Sequence, residues 1–214
     1  MWNTGTLSYE EFENELFDFL ERARKVRDSW NLECTKGKRK VKYLTKNQVQ
    51  LGFDKASEVG TEETCTEEMK WGVEEDDNDS VTSGQLESDI NKTFLKYEYH
   101  VIYSTSYGVP VLYFTASRQD GKLVSLEEVW KSVPDVYHER LEFEKWTLLT
   151  QQEHPHLGVP FYQLHPCHTA DMMKKIASVA EEQENHVSNA NYLVTWLSTV
   201  GPIVGLKIPP EYST

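Results

Sequence analysis

Residues Lys96–Ser117 read KYEYHVIYSTSYGVPVLYFTAS, and the fold class turns on this stretch. Together with Leu95, residues Tyr97, Tyr99, Val101 and Tyr103 alternate along the chain, the period of two expected of a strand with one buried face. Ser104–Gly108 supplies a turn, and Val109–Ala116 (VPVLYFTA) predicts the returning strand of an antiparallel hairpin. Pro110 cannot donate to a ladder, so it fits an edge or the opening of that strand. Tyr97, Tyr99, Tyr103 and Tyr107 are expected to pack in core or sheet. The other reading of the hairpin is an exposed edge for target docking.

On the C-terminal side, Asp120-Gly121 marks a turn, and Ser125-x-x-Glu128 predicts a short helix through Trp130 that Pro134 ends. Thr150–Pro160 (TQQEHPHLGVP) reads as a loop. A helix then follows Cys167, with Thr169 or His168 at its cap and Met172, Met173, Ile176, Ala177, Val179 and Ala180 as its apolar face. Its Lys174 and Lys175 come early and its glutamates late, against the macrodipole, so packing has to hold it. A last helix, Asn189–Val200, with Trp196 at a core position, stops at Gly201-Pro202. On the N-terminal side, Ser8 and Glu11 form a capping box and Leu7 with Phe12 a hydrophobic staple. Phe12, Leu16, Phe19, Leu20, Ala23 and Val26 then follow at helical spacing. Short strands are expected between Trp30 and Phe53, around a Lys-Gly-Lys turn at 36–38. One helix, antiparallel strands, then two helices is an α+β order, an antiparallel sheet flanked by helices.

Composition bounds the function. The 214 residues suit a single domain spanning 1–214, and 6 Trp, 11 Tyr and 8 Phe are enough to build a core. With 22 basic and 35 acidic residues the net charge is −13, which speaks against nonspecific nucleic-acid binding. Three cysteines are too few and too scattered for a disulfide framework, and no apolar run approaches the length of a membrane span. The acidic N-terminus lacks a signal pattern, so a cytoplasmic protein without stable membrane insertion is expected. The charge is uneven. Glu62–Asp79 holds nine acidic residues and one lysine, a balance of −8, whereas Arg22–Lys46 holds ten basic and two acidic residues, a balance of +8. The acidic stretch lacks periodic apolar positions, and a disordered acidic loop is expected over 57–90.

Four of the seven histidines, His154, His156, His165 and His168, fall within fifteen residues that also hold Cys167. Three readings of that cluster stay open. A metal site needs converging donors, and His165, Cys167 and His168 are crowded for one ion. A Cys/His hydrolase needs a thiolate, a base and an orienting group, but no Gly-rich oxyanion loop is evident. A buried structural cysteine is the third reading.

LHPCHTADMMKK around Cys167, preceded by TQQEHPHLGVP, resembles the His-Pro-Cys signature of the autophagy ubiquitin-like conjugating enzymes. These E2-type enzymes carry a ubiquitin-like protein as a thioester. Lys96–Ser117, Thr150–Pro155 and NYLVTWLSTVGPIVGL (Asn191–Leu206) resemble the branch typified by autophagy protein ten. The four blocks cover the chain from about Thr93 onward. The first ninety residues share only the order of elements.

The resemblance implies an E2-like α+β fold and makes Cys167 the thioester-forming nucleophile. It implies three partners: the activating enzyme autophagy protein seven, the ubiquitin-like autophagy protein twelve, and the target autophagy protein five, whose lysine receives the modifier. No cofactor and no metal is implied. The usual His-Pro-Asn motif of ubiquitin-conjugating enzymes is replaced by His154-Pro155-His156, which leaves open what stabilises the oxyanion. His156 is one candidate and backbone amides are another. His165 and Pro166 are expected to shape the cysteine loop, and His168 to stand close enough to tune the thiolate. The alternatives are the lipid-directed branch, which hands its modifier to phosphatidylethanolamine, and a noncatalytic E2-like binding module.

Overall fold

The computed structural model describes residues 2–36, 40–51, 94–134, 148–182 and 191–213. The expected acidic loop at 57–90 and the tip of the turn at 36–38 lie outside the described residues. The chain begins with helix α1 (Tyr9–Lys25), whose capping box forms as expected: Glu11 N–H donates to Ser8 Oγ at 3.2 Å, and Ser8 N–H to Glu11 Oε2 at 2.7 Å. Then come strands β1 (Asn31–Cys34), β2 (Lys42–Leu51), β3 (Phe94–Ser104) and β4 (Val109–Arg118). Helix α2 (Leu126–Ser132), with its own Ser125/Glu128 capping box, precedes β5 (Leu149–Glu153) and β6 (Pro160–Leu164). Helices α3 (Thr169–Glu182) and α4 (Tyr192–Val200) follow, and 3-10 turns at Gly201–Val204 and Pro210–Ser213 close the chain.

The six strands form one antiparallel sheet in the order β1-β2-β3-β4-β6-β5. With four helices among the described residues this is an α+β architecture, as the order of elements predicted. One face of the sheet carries the core. Leu95, Tyr97, Tyr99 and Val101 of β3 and Leu112, Phe114 and Ala116 of β4 pack into one cluster with Phe12, Leu16, Phe19 and Leu20 of α1 and Leu193, Trp196 and Leu197 of α4. Each of the large side chains stabilises the fold by roughly 2 kcal/mol through burial. A buried polar knot ties the C-terminus to α1. Asp28 accepts from Lys46 Nζ (2.6 Å) and Tyr212 Oη (2.7 Å), while Arg22 Nη1 donates to Tyr212 O (2.8 Å).

Several expectations need correcting. Thr150–Glu153 is strand, not loop: TQQE pairs with β6, and only the following HPHLGV makes the turn. Gln151, Gln152 and Glu153 are exposed on the outermost strand, where neither alternation nor hydrophobicity marks a strand. The β3–β4 hairpin is no free edge, since β2 and β6 flank it and the sheet's edges are β1 and β5. Pro110 lies in an interior strand but at its start, beyond the two residue pairs by which β6 meets β4. Tyr97 and Tyr99 are buried as expected, but Tyr107 sits exposed in the turn. On α3, Met173 and Ala177 are buried while Val179 is exposed, so the apolar face is narrower than the spacing suggested. A 3-10 turn runs directly into the helix, and His165 caps that turn.

Candidate active site

Strand β6 delivers the chain to Cys167. Just past Leu164, His165 N–H donates to Leu148 O at 2.8 Å, closing that end of the β5–β6 hairpin. Pro166, Cys167 and His168 form one 3-10 turn that runs straight into α3. Pro166 stands at the first helical position, where a missing N–H costs nothing and a fixed φ pre-sets the turn. His165 remains extended (φ −67°, ψ 130°), and its Nδ1 accepts the Cys167 N–H at 3.2 Å. With Nδ1 accepting, the ring proton of the neutral imidazole sits on Nε2. The imidazole stands edge-on to Tyr107 in the β3–β4 turn, centroids 5.6 Å apart and planes at 80°. Pro166 is buried whereas Cys167 is an exposed free thiol. The backbone is thus fixed from below while the sulfur faces solvent. His168, also exposed, follows the sulfur at the helix start, where backbone amides favour negative charge.

An arm at the N-terminus braces this helix from behind. Gly5 (φ 71°) lies so close to α3 that a Cβ there would meet Ala170 O at 1.9 Å. Tyr192 Oη donates to Gly5 O at 2.7 Å, Leu7 N–H to Gly108 O at 2.7 Å, and Tyr103 Oη to Leu7 O at 2.6 Å. One short segment therefore joins α3, α4 and the Tyr107-bearing turn.

An exposed cysteine on a capped turn, leading into a helix, is a nucleophile's setting. Residues 11–211 match the family described as "Autophagocytosis associated protein, active-site domain". The human ubiquitin-like-conjugating enzyme ATG10 is 37% identical over 208 residues, which cover 94% of this chain and 90% of that protein. The chain belongs to the ATG10 family of ubiquitin-like-conjugating enzymes. The Arabidopsis thaliana ATG10 is 42% identical over 115 residues, 54% of this chain and 51% of that one. Similarity to autophagy-related protein 3 of Dictyostelium discoideum is lower, 25% over 121 residues, 55% of this chain and 34% of that one.

The other two clustered histidines of this ATG10-family enzyme lie elsewhere. His154 and His156 occupy the turn at the opposite end of β6, so about 16 Å of strand separates them from the Cys167 turn. His156 packs beside Tyr43, and burial lowers its pKa. Fully buried His154 forms a chain that sequence reasoning did not find. Its Nδ1 accepts the N–H groups of His156 (3.2 Å) and Leu157 (3.1 Å), and its Nε2 lies 2.8 Å from His100 Nδ1. His100 Nε2 in turn lies 3.0 Å from Glu98 Oε1. Two backbone donors on Nδ1 order the protons: each imidazole carries its hydrogen on Nε2, and the chain ends on the Glu98 carboxylate. Burial, and then the neighbouring His100 and His156, lower the His154 pKa to about 4. The signal available in the sequence was Glu98 and His100, two residues apart on the face of β3 opposite the core. Among the described residues no group of three or more His, Cys, Asp or Glu side chains forms a metal site. No described helix is long and apolar enough to cross a membrane.

Proposed function

We propose that Cys167 accepts the ubiquitin-like autophagy protein twelve as a thioester from the activating enzyme autophagy protein seven, and passes it to a lysine of autophagy protein five. The observation that carries the reading is the exposed free thiol of Cys167 on a turn whose backbone is held by buried Pro166 and by His165 Nδ1. The 37% identity to the human ATG10 supports the choice of branch. In this reading the whole of 1–214 works as one E2-like conjugating domain in the cytoplasm.

Two acyl transfers share one sulfur. The Cys167 thiolate attacks the carbonyl of the activating enzyme's thioester; a new S–C bond forms, the old one breaks, and the activating enzyme's thiolate departs. A target lysine then attacks the new thioester; the N–C bond forms, Cys167 leaves as thiolate, and the amine's proton passes to solvent. A lysine amine is protonated at neutral pH, so desolvation on docking is needed to free its lone pair. The thiolate is a good leaving group, and amides at the start of α3 favour charge on sulfur and oxyanion alike. With His156 at the far end of β6, oxyanion stabilisation falls to these backbone groups. His165 and Pro166 fix the turn, and His168 flanks the sulfur.

Purified protein incubated with activating enzyme, ATP and modifier should give a thiol-sensitive adduct on nonreducing gels. Cys167→Ala should abolish it and Cys167→Ser should trap a more stable ester. An adduct that survives Cys167→Ala refutes the assignment. No adduct with any modifier points to a noncatalytic binding module. Transfer to phosphatidylethanolamine vesicles instead of a protein lysine selects the lipid-directed branch. Against that branch, the apolar face of α1 is already spent in the core, with Phe12, Leu16 and Phe19 fully buried, and its exposed first turn carries Glu10 and Glu11.

A further inference from the structure

The β5–β6 hairpin carries the Cys167 turn, yet it is lightly held to the rest of the sheet. Only Tyr113↔Gln163 and Phe114↔Tyr162 pair β4 with β6, whereas β3 and β4 pair along their whole length. Among the described residues three side-chain ties add to that seam, one of them from Gln163 Nε2 to Tyr113 Oη at 3.3 Å. On the core face Tyr162 Oη donates to Val124 O at 2.6 Å, and burial raises the Tyr162 pKa, so this tie does not titrate below neutral pH. On the opposite face His154 reaches across β4 to His100 of β3 while its Nδ1 holds the hairpin's own turn.

We propose that His154 is a positioning residue for Cys167, and that its proton-ordered chain through His100 to Glu98 makes the conjugating reaction acid-sensitive. This rests on the reading of Cys167 as the thioester-forming residue. Protonating His154 puts a hydrogen on Nδ1, where two backbone N–H groups already point, and so breaks the clamp. Around the pair stand Tyr43 from β2, Glu98 from β3, Tyr113 from β4, His156 from the turn and apolar Phe161 from β6. Burial keeps both tyrosines neutral in acid, and His156 adds repulsion when charged. Glu98 supplies the cluster's carboxylate and, ionised, favours proton uptake by His154. Lowering the pH therefore frees the turn, loosens β6 and releases the cysteine two residues past the closure at Leu148. The Tyr162 tie retains the hairpin on the core.

His154→Phe tests the clamp, because the ring still fills the site beside Phe161 but offers no nitrogen to the turn or to His100. Once the clamp opens, His154 regains its ordinary affinity for a proton, so acid pulls the wild-type clamp open below about pH 6.5. Single-turnover charging of wild type and His154→Phe is measured from pH 7.5 to 5, and the ratio of the two rates cancels the pH dependence of activating enzyme and thiol. Wild type should charge about threefold faster at pH 7.5, and the ratio should fall toward one at pH 5. Hydrogen exchange of the 154–160 segment, referenced to α1, should lose protection in acid in the wild type and be low at every pH in His154→Phe. A flat ratio overturns the positioning role, and protection of 154–160 that stays constant to pH 4.5 overturns the clamp. A wild type that forms no adduct defeats the reading of Cys167 and the positioning role with it. The exchange arm needs no modifier, so that failure is distinguishable from a failed clamp.

Discussion

The imidazole of His165 accepts a hydrogen bond from the backbone N–H of Cys167, so the residue before the reactive turn caps the turn it precedes. His-Pro-Cys is in this light a mechanical unit: an acceptor, a rigid first position, and an outward sulfur.

His165→Ala should remove the cap at a cost of about 1 kcal/mol locally and slow charging of Cys167 by roughly fivefold. His165→Asn retains a side-chain acceptor and should recover much of the loss. Single-turnover charging of the two variants decides it, and equal rates for both would leave the cap without a role.

Gly5→Ala combines a left-handed φ with a Cβ placed 1.9 Å from Ala170 O. The backbone has to move, and thermal unfolding should show a loss of roughly 2 kcal/mol or more. Because α3 starts beside this contact, charging should fall as well. Gly121→Ala has a similar φ but nothing within 4 Å, so it should cost only about 1 kcal/mol and leave charging intact.

Asp28→Ala strands the buried Lys46 ammonium and the Tyr212 hydroxyl. Denaturant titration should register about 3–4 kcal/mol of destabilisation, of which Asp28→Leu combined with Lys46→Met recovers a large part. Burial opposes ionisation of Asp28, but hydrogen bonds from Lys46 and Tyr212 outweigh it and hold the carboxyl below its usual range. Its contribution is therefore present above about pH 4 and is lost as the pH falls further.

His154 acts in a separate window. Its folded pKa of about 4 lies below the usual 6.5, so the unfolded chain binds the proton more readily between those values. The stability it confers is full above pH 6.5, falls as the pH drops, and is gone by about pH 4, on the order of 3 kcal/mol in all. Denaturation midpoints across this range should show the slope in wild type. His154→Phe should lower the midpoint at pH 7.5 and flatten the slope. An unchanged slope in the variant would assign the acid response to other groups.

Much of the architecture was legible because it follows from local chemistry. The Ser8/Glu11 and Ser125/Glu128 boxes, the α1 stripe and the Tyr97–Tyr99–Val101 alternation each state their element within a few residues. Strand β5 was not legible, because an edge strand whose side chains meet water has no need of apolar alternation. His165 as a cap was hidden for a different reason. Histidine is an uncommon N-cap, and its role appears only once a 3-10 turn is seen ahead of α3. The Cys167 motif was visible as a string, but its brace was not. Gly5 and Tyr107 are remote in sequence and reach it through tertiary packing. Glu98 and His100 share β3, whereas His154 sits in the turn between β5 and β6, and only the sheet topology brings it to them.

The register of β2 on β3 ends with Leu51 facing Phe94. The two strand ends sit side by side whatever joins them, and the sheet closes over the same gap for a short connection or a long one. Chain length at this seam is therefore free to drift in descent, gaining or shedding residues and net charge, without the catalytic half of the molecule registering the change.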